Sequence, residues 1–235
     1  ARGARRPTEE SEPPDPAPKA CAAPAKSQPS KPSQDRSSTL ETRVGRKFRL
    51  GAKLGSGAFG QIYMGSNVQT GEQVAIKLEQ CGVKHPMLPM ELRVYQALKS
   101  AVGVPSIHWY GIEHGCNILV MDLLGPSLED LLTFCRHRFS MKTVLMLADQ
   151  MIQRVEHLHD QGYIHGDIKP DNFVIGLGQW ANCVHLIDLG LATRYRDPDT
   201  SEHVAFSCHA PLSGTPIFAS INAHLGVVKS RRDDL

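Results

Sequence analysis

The sequence predicts an α+β fold in which a strand-rich stretch precedes a mainly helical one. Three observations carry this. Between Phe48 and Lys77, short apolar runs are divided by glycine turns, with Thr70-Gly71 between two of them, which is hairpin patterning. The glycine-rich run Gly55-Ser56-Gly57-Ala58-Phe59-Gly60 leads into a strand-like segment, Gln61-Ile62-Tyr63-Met64, rather than into a helix. From Ser140 to Gln161, Val144, Leu147, Met151, Val155 and Leu158 recur at three-and-four spacing, and Gly162 can end the helix they define.

Composition narrows the function classes. A chain of 235 residues makes one or two domains. A formal charge of +2 is too small to argue for nucleic acid or an anionic membrane. No apolar run is long enough for a transmembrane helix, which needs about 18 residues or more. Cys21, Cys81, Cys116, Cys135, Cys183 and Cys208 are scattered without a Cys-x-x-Cys pair, several of them inside apolar runs. They read as reduced core thiols of an intracellular protein, cytoplasmic or nuclear, rather than as disulfides or zinc ligands. Residues 1–43 hold eight of the sixteen prolines and no aromatic residue, so they are expected to form a disordered Pro-rich tail. The Arg2, Arg5, Arg6 cluster there is diluted by Glu9, Glu10, Glu12 and Asp15 and reads as solvated tail.

Order is expected from Phe48. Phe48–Leu54 is the first strand, followed by the glycine run and a second strand. A Gly-x-Gly-x-x-Gly run also occurs in dinucleotide-binding turns, but those open a helix. Gln73-Val74-Ala75-Ile76-Lys77 is a third strand. A glycine loop between antiparallel strands, with a lysine on the next one, suits a bound phosphate chain, because glycines let the backbone approach phosphate oxygens closely. Lys77 would then contact phosphates. Met87–Ser100 reads as an amphipathic helix with Leu88, Leu92, Tyr95 and Leu98 on one face, and its Glu91 is the carboxylate available to position Lys77. Ile107–Tyr110 and Ile118–Met121 read as strands, and Asp122–Pro126 as an extended connector. Ser127-Leu128-Glu129-Asp130 is a capping box that starts a helix.

The chemistry concentrates in Tyr163-Ile164-His165-Gly166-Asp167-Ile168-Lys169-Pro170-Asp171-Asn172-Phe173. This places a carboxylate, an ammonium two residues on and an amide five residues on in one loop. Phosphoryl transfer to a hydroxyl needs an acceptor for the hydroxyl proton, a cation against phosphoryl oxygens and an oxygen ligand for a metal. After Val184-His185-Leu186-Ile187 comes Asp188-Leu189-Gly190, a short strand delivering a second metal-binding carboxylate.

The pair of segments resembles the protein-kinase catalytic loop and metal-binding Asp-Phe-Gly, altered here to His-Gly-Asp and Asp-Leu-Gly. Residues 44–235 as a whole resemble the catalytic domain of casein kinase 1 family Ser/Thr protein kinases. The match rests on Val44-Gly45-Arg46-Lys47-Phe48, Lys84-His85-Pro86, Leu123–Asp130, Lys169-Pro170-Asp171-Asn172-Phe173, Ala219-Ser220-Ile221-Asn222 and Ser230–Leu235. The resemblance implies a two-lobed fold, with an N-lobe over about 44–122 and a C-lobe over about 123–235. It implies transfer of the γ-phosphate of ATP, with Mg2+, to Ser or Thr near acidic residues of protein substrates. Asp167 would be the proton acceptor, and Lys169 would steady the γ-phosphate. Asn172 and Asp188 would hold magnesium, and Lys77 and Glu91 would place the phosphates. Leu54 and the loop Gly55, Ser56, Gly57, Ala58, Phe59, Gly60 would cover the nucleotide. Met121 would be the gatekeeper, backbone groups of Asp122 and Leu124 would hold adenine, and Ile62, Ala75 and Val174 would sandwich it.

Departures from that family carry further expectations. Gly166 stands where an arginine that meets an activation-loop phosphate is usual. Leu189 replaces phenylalanine and stays apolar. Ser207, Ala210 and Ile217 stand where the family binds a priming phosphate with basic residues, so that recognition loses its charge-assisted bonds. The chain stops at Leu235, where the family's central hydrophobic helix begins. This implies a C-lobe truncated at that helix, a catalytic loop without its support, Asp167 and Asp188 out of catalytic geometry, and activity near background. The alternative is an inactive pseudokinase acting as a binding module.

Overall fold

The computed structural model describes residues 43–57, 60–99 and 101–235. The expectations for the tail, for Ala58 and Phe59, and for Ser100 at the helix end lie outside these.

The strand-rich part is one antiparallel sheet. Its strands are β1 (Arg43–Val44), β2 (Phe48–Gly57), β3 (Gly60–Asn67), β4 (Gln73–Gln80), β5 (Ile107–Glu113) and β6 (Cys116–Asp122), in the order β1-β2-β3-β4-β6-β5. Strand β2 runs on through Gly55 and Gly57, three residues past the expected end, and pairs Gly57 with Gly60 across the hairpin tip. Gly60 has φ +133°, and a Cβ there would sit 2.1 Å from the Leu78 carbonyl oxygen, so only glycine fits. The strand that continues from Gly60 confirms that the glycine run is not a helix-opening dinucleotide turn.

Period-two alternation splits the sheet's apolar residues between two cores. On β6, Ile118 and Val120 join Val44, Phe48, Val74 and Ile76 on one face, while Leu119 and Met121 join the main core on the other. That main core receives Leu88, Val94, Tyr95 and Leu98 from helix α1 (Leu88–Ala97) and its C-terminal cap residue, and also Leu158, Phe173 and Leu189 from later in the chain. Each fully buried Leu, Ile or Phe is worth about 1.5–3 kcal/mol, so this shared core holds the sheet, helix α1 and the later segments around Leu158, Phe173 and Leu189 together. Helix α1 turns Glu91 inward, only 1% exposed, and leaves Leu92 half-buried.

Ser127 caps α2 (Leu128–Phe134) with the reciprocal Asp130 bond of a capping box. Helix α3 (Met141–Asp160) is capped by Ser140. Its expected apolar stripe is core only at the C-terminal end. Val155 and Leu158 are buried, Leu147 and Met151 are half-buried, and Val144 is 44% exposed beside the exposed Leu145. The N-terminal half has no packed neighbour among the described residues to cover it, so spacing alone overestimated its burial. The thiols are corrected likewise: all described cysteines are free, and Cys183 alone of them is buried, with Cys81, Cys135 and Cys208 exposed.

After α3 come two short ribbons. β7 (Tyr163–Ile164) pairs with β10 (Thr193–Arg194), and β8 (Phe173–Ile175) pairs with β9 (Val184–Leu186). They carry the loops with Asp167 and Asp188 into one place. The last elements are the short helix α4 (Ile221–His224), capped by Ser220, and a 3-10 turn at Arg231–Asp233.

Candidate active site

Lys77 projects from β4 on the same face as Ala75, and the register Ile62↔Lys77 and Ala75↔Met121 puts Ile62 and Met121 on that face too. Its ammonium bonds Glu91 Oε2 at 2.7 Å and Asp188 Oδ1 at 2.7 Å. Burial opposes the charge, but the two carboxylates outweigh it and hold the Lys77 pKa above its ordinary value. Burial and the nearby Asp188 push the Glu91 carboxyl up against the pull of Lys77. One ammonium is thus shared by the buried Glu91 and the half-buried Asp188. Asp188 reaches it from a left-handed backbone conformation, φ 62° and ψ 59°, uncommon for a non-glycine residue and a local cost borne at this point.

Helix α1 is held so that Glu91 faces Lys77. Its N-cap, Met87, gives no side-chain cap. The buried Glu79, two residues past Lys77 on β4, supplies it by accepting from Met87 N at 2.7 Å and Leu88 N at 3.3 Å, while Asn117 Nδ2 donates to its other oxygen. A carboxylate at a helix N-terminus also meets the positive end of the helix dipole. Sequence reasoning missed Glu79, although its i, i+2 relation to Lys77 marks it as pointing to the same side of the strand.

Asp167 is buried and held on both oxygens. Oδ1 accepts from Thr215 N at 2.6 Å, and Oδ2 lies 2.9 Å from Lys169 Nζ, which also donates to Thr215 Oγ1 at 2.8 Å. Burial alone would raise the Asp167 pKa, but the bonds from Lys169 and Thr215 bring it below the ordinary carboxylate value, so it is ionised at neutral pH. Gly214, at φ +82°, makes room: a Cβ there would meet Gly166 O at 2.6 Å. Asn172 Nδ2 donates to Asp167 O at 2.8 Å, and Ile187 N donates to Asn172 O at 3.0 Å, which brings Asn172 beside Asp188. Neither Asn172 Oδ1 nor Asp188 Oδ2 bonds any described residue, so each has an oxygen to offer a hard cation.

The loop has an anchor. The buried Asp234 accepts from His165 N at 2.8 Å and Gly166 N at 2.9 Å, and lies 2.9 Å from His159 Nε2. This corrects the expectation of an unsupported loop: in the structure Asp167 and Asp188 are both fixed by direct bonds. His165 is fully buried, accepts from Asp167 N on Nδ1 and donates from Nε2 to Ile187 O, and burial pulls its pKa down so that it is neutral. Asp234, Thr215 and Lys229 were not singled out from sequence. The sequence signals near them are the Ser-x-x-Asp box at Ser230 and Asp233 and the family-like stretch Ser230–Leu235 that contains Asp234.

The family model of the protein kinase domain matches residues 48–212. The chain belongs to the protein kinase family. Its β-rich sheet and few helices are consistent with the kinase α+β fold, and phosphotransferase activity on protein substrates follows from the family. The remaining predicted site residues of this kinase fall as follows. Leu54 and Gly57 are exposed at the hairpin, with Gly55 half-buried and Ser56 exposed. Met121 and Val174 are buried, and Ile62 and Ala75 half-buried. Leu124 N donates to no described backbone group, whereas Asp122 N donates to Ser106 O at 3.1 Å. Among the described residues no cluster of three or more His, Cys, Asp or Glu could hold a metal by itself.

Proposed function

We propose that this kinase is a Ser/Thr protein kinase of casein kinase 1 type, which transfers the γ-phosphate of Mg-ATP to Ser or Thr in acidic stretches of proteins, in the cytoplasm or nucleus. The observation that carries the reading is the single hydrogen-bonded set Asp167, Lys169 and Thr215, lying beside the set Lys77, Glu91 and Asp188. An ionised Asp167 orients the substrate hydroxyl and takes its proton as the oxygen attacks. Lys169 faces the transferred phosphoryl group, and Lys77, set by Glu91, holds the α- and β-phosphates. Asn172 and Asp188 would hold magnesium, which neutralises charge on the phosphates. Adenine lies against Ile62, Ala75 and Val174 under Met121, with the backbone of Asp122 and Leu124 at its edge and the loop from Leu54 to Gly60 over the phosphates.

The casein kinase 1 type is supported by Ala219-Ser220-Ile221-Asn222 and Ser230–Leu235, which interlock. Ser220 Oγ donates to Asp233 Oδ1 at 2.6 Å, and Asp233 Oδ2 accepts from Ser230 N at 2.7 Å. Incubation with Mg-ATP and casein, followed by phosphoamino-acid analysis, tests the proposal. Phosphoserine and phosphothreonine are expected. Phosphotyrosine alone, or no transfer, would overturn it.

A further inference from the structure

Gly166 precedes the catalytic aspartate and has φ +77°, and a Cβ there would lie 3.9 Å from the Lys229 ammonium. That ammonium has three acceptors: Gly166 O at 2.7 Å, Ser213 O at 2.6 Å and Ser213 Oγ at 3.0 Å. An ammonium has three protons, so its donors are fully used. The two carbonyls belong to different segments. One lies next to Asp167. The other lies two residues before Thr215, whose amide holds Asp167 Oδ1 and whose hydroxyl holds Lys169.

Lys229 is itself delivered by the stretch 207–215, the activation segment, because Val228 N donates to Ser207 O and Ala210 N to Gly226 O. Burial pulls the half-buried ammonium's pKa down, and Asp167, Asp234 and Asp233 oppose this without contacting it. A cation bonded to two backbone carbonyls and a hydroxyl, with three carboxylates around it, is placed to join backbones rather than to neutralise a single acid.

We infer that Lys229 is a positioning residue that clamps the catalytic loop to the activation segment by its own charge, so that Thr215 meets Asp167 and Lys169 with no phosphate on the segment. This rests on the kinase reading above and deepens it. The sequence has no arginine at position 166 to collect such a phosphate, and the Lys229 ammonium lies 3.9 Å from where a β-carbon at that position would stand.

The test uses the full chain after phosphatase treatment, with Lys229→Met and Lys229→Arg. In the Met variant, amide hydrogens of Gly166–Lys169 and Ser213–Thr215 should exchange at least about tenfold faster, and kcat should fall about tenfold or more. KM for ATP should stay within about twofold, since Lys77 and Asp188 are untouched. Lys229→Arg should recover most of both. If the Met variant does not fold, Lys229→Gln replaces it, with the same direction expected. Unchanged exchange, a kcat within twofold in the neutral variant, or a parent that works only when phosphorylated would overturn the inference. A parent that transfers no phosphate at all, with faster exchange in the Met variant, would refute the kinase reading and leave the clamp standing.

Discussion

Asp234→Ala removes both acceptor oxygens from a buried junction of α3 and the catalytic loop. It leaves His165 N and Gly166 N without their partner and deprives His159 of its own. A buried donor left unsatisfied costs about 1–3 kcal/mol, so two amides predict a loss of about 2–6 kcal/mol. Water entering the vacated space would favour the lower half of that range. Against a total stability of about 5–15 kcal/mol this is a large fraction. Urea unfolding followed through Trp109 and Trp180 measures it, and with an m-value of about 1–3 kcal/mol per molar the midpoint should fall by about 0.7 M or more. Asp234→Asn keeps one acceptor oxygen and should lose about half as much. A midpoint unchanged in Asp234→Ala would mean that the loop is held by something other than this carboxylate, and the account of the anchor would fall.

Two further outcomes follow from the same geometry. Burial depresses the His165 pKa below the ordinary 6.5, so the unfolded chain takes up this proton first on acidification. The stabilisation is full above that range and declines as pH falls below it, by at most about 1.4 kcal/mol per unit. The drop in Tm between pH 7.5 and pH 5.5 should therefore be smaller in His165→Gln, and equal drops would remove His165 from the explanation. A peptide phosphorylated upstream of its target serine should show a kcat/KM within a fewfold of its unphosphorylated form, because Ser207 and Ile217 are exposed without charge and Ala210 is half-buried. A tenfold preference, about 1.4 kcal/mol, would point to Arg194 or Arg196. Their guanidinium groups lie over Tyr163 and Tyr195 in the structure, at 4.5 and 5.5 Å from the ring centroids.

What could be read from sequence was what local rules decide. Strand alternation, the glycine hairpin and the Ser127 capping box depend on a few adjacent residues, and they appear where expected. Asp167, Lys169 and Asn172 stand within one loop, so their spacing displayed them. Glu79, Thr215, Lys229 and Asp234 act across 8, 48, 63 and 69 residues of separation respectively. No periodicity encodes such pairings. Their partners are mostly backbone amides and carbonyls, which every residue has, so nothing in the sequence marks one end of the bond. The overestimate at Val144 has the same root: spacing shows which residues share a helix face, not whether a neighbour covers it.

The most direct test is γ-phosphoryl transfer from labelled ATP to casein at saturating Mg-ATP, comparing the parent with Asp167→Asn. The amide keeps the size of the side chain and an acceptor oxygen for Thr215 N, but loses the charge that takes the hydroxyl proton. The account predicts a fall in kcat of about 10²-fold or more with ATP binding largely unchanged. Equal rates in the two proteins would contradict it.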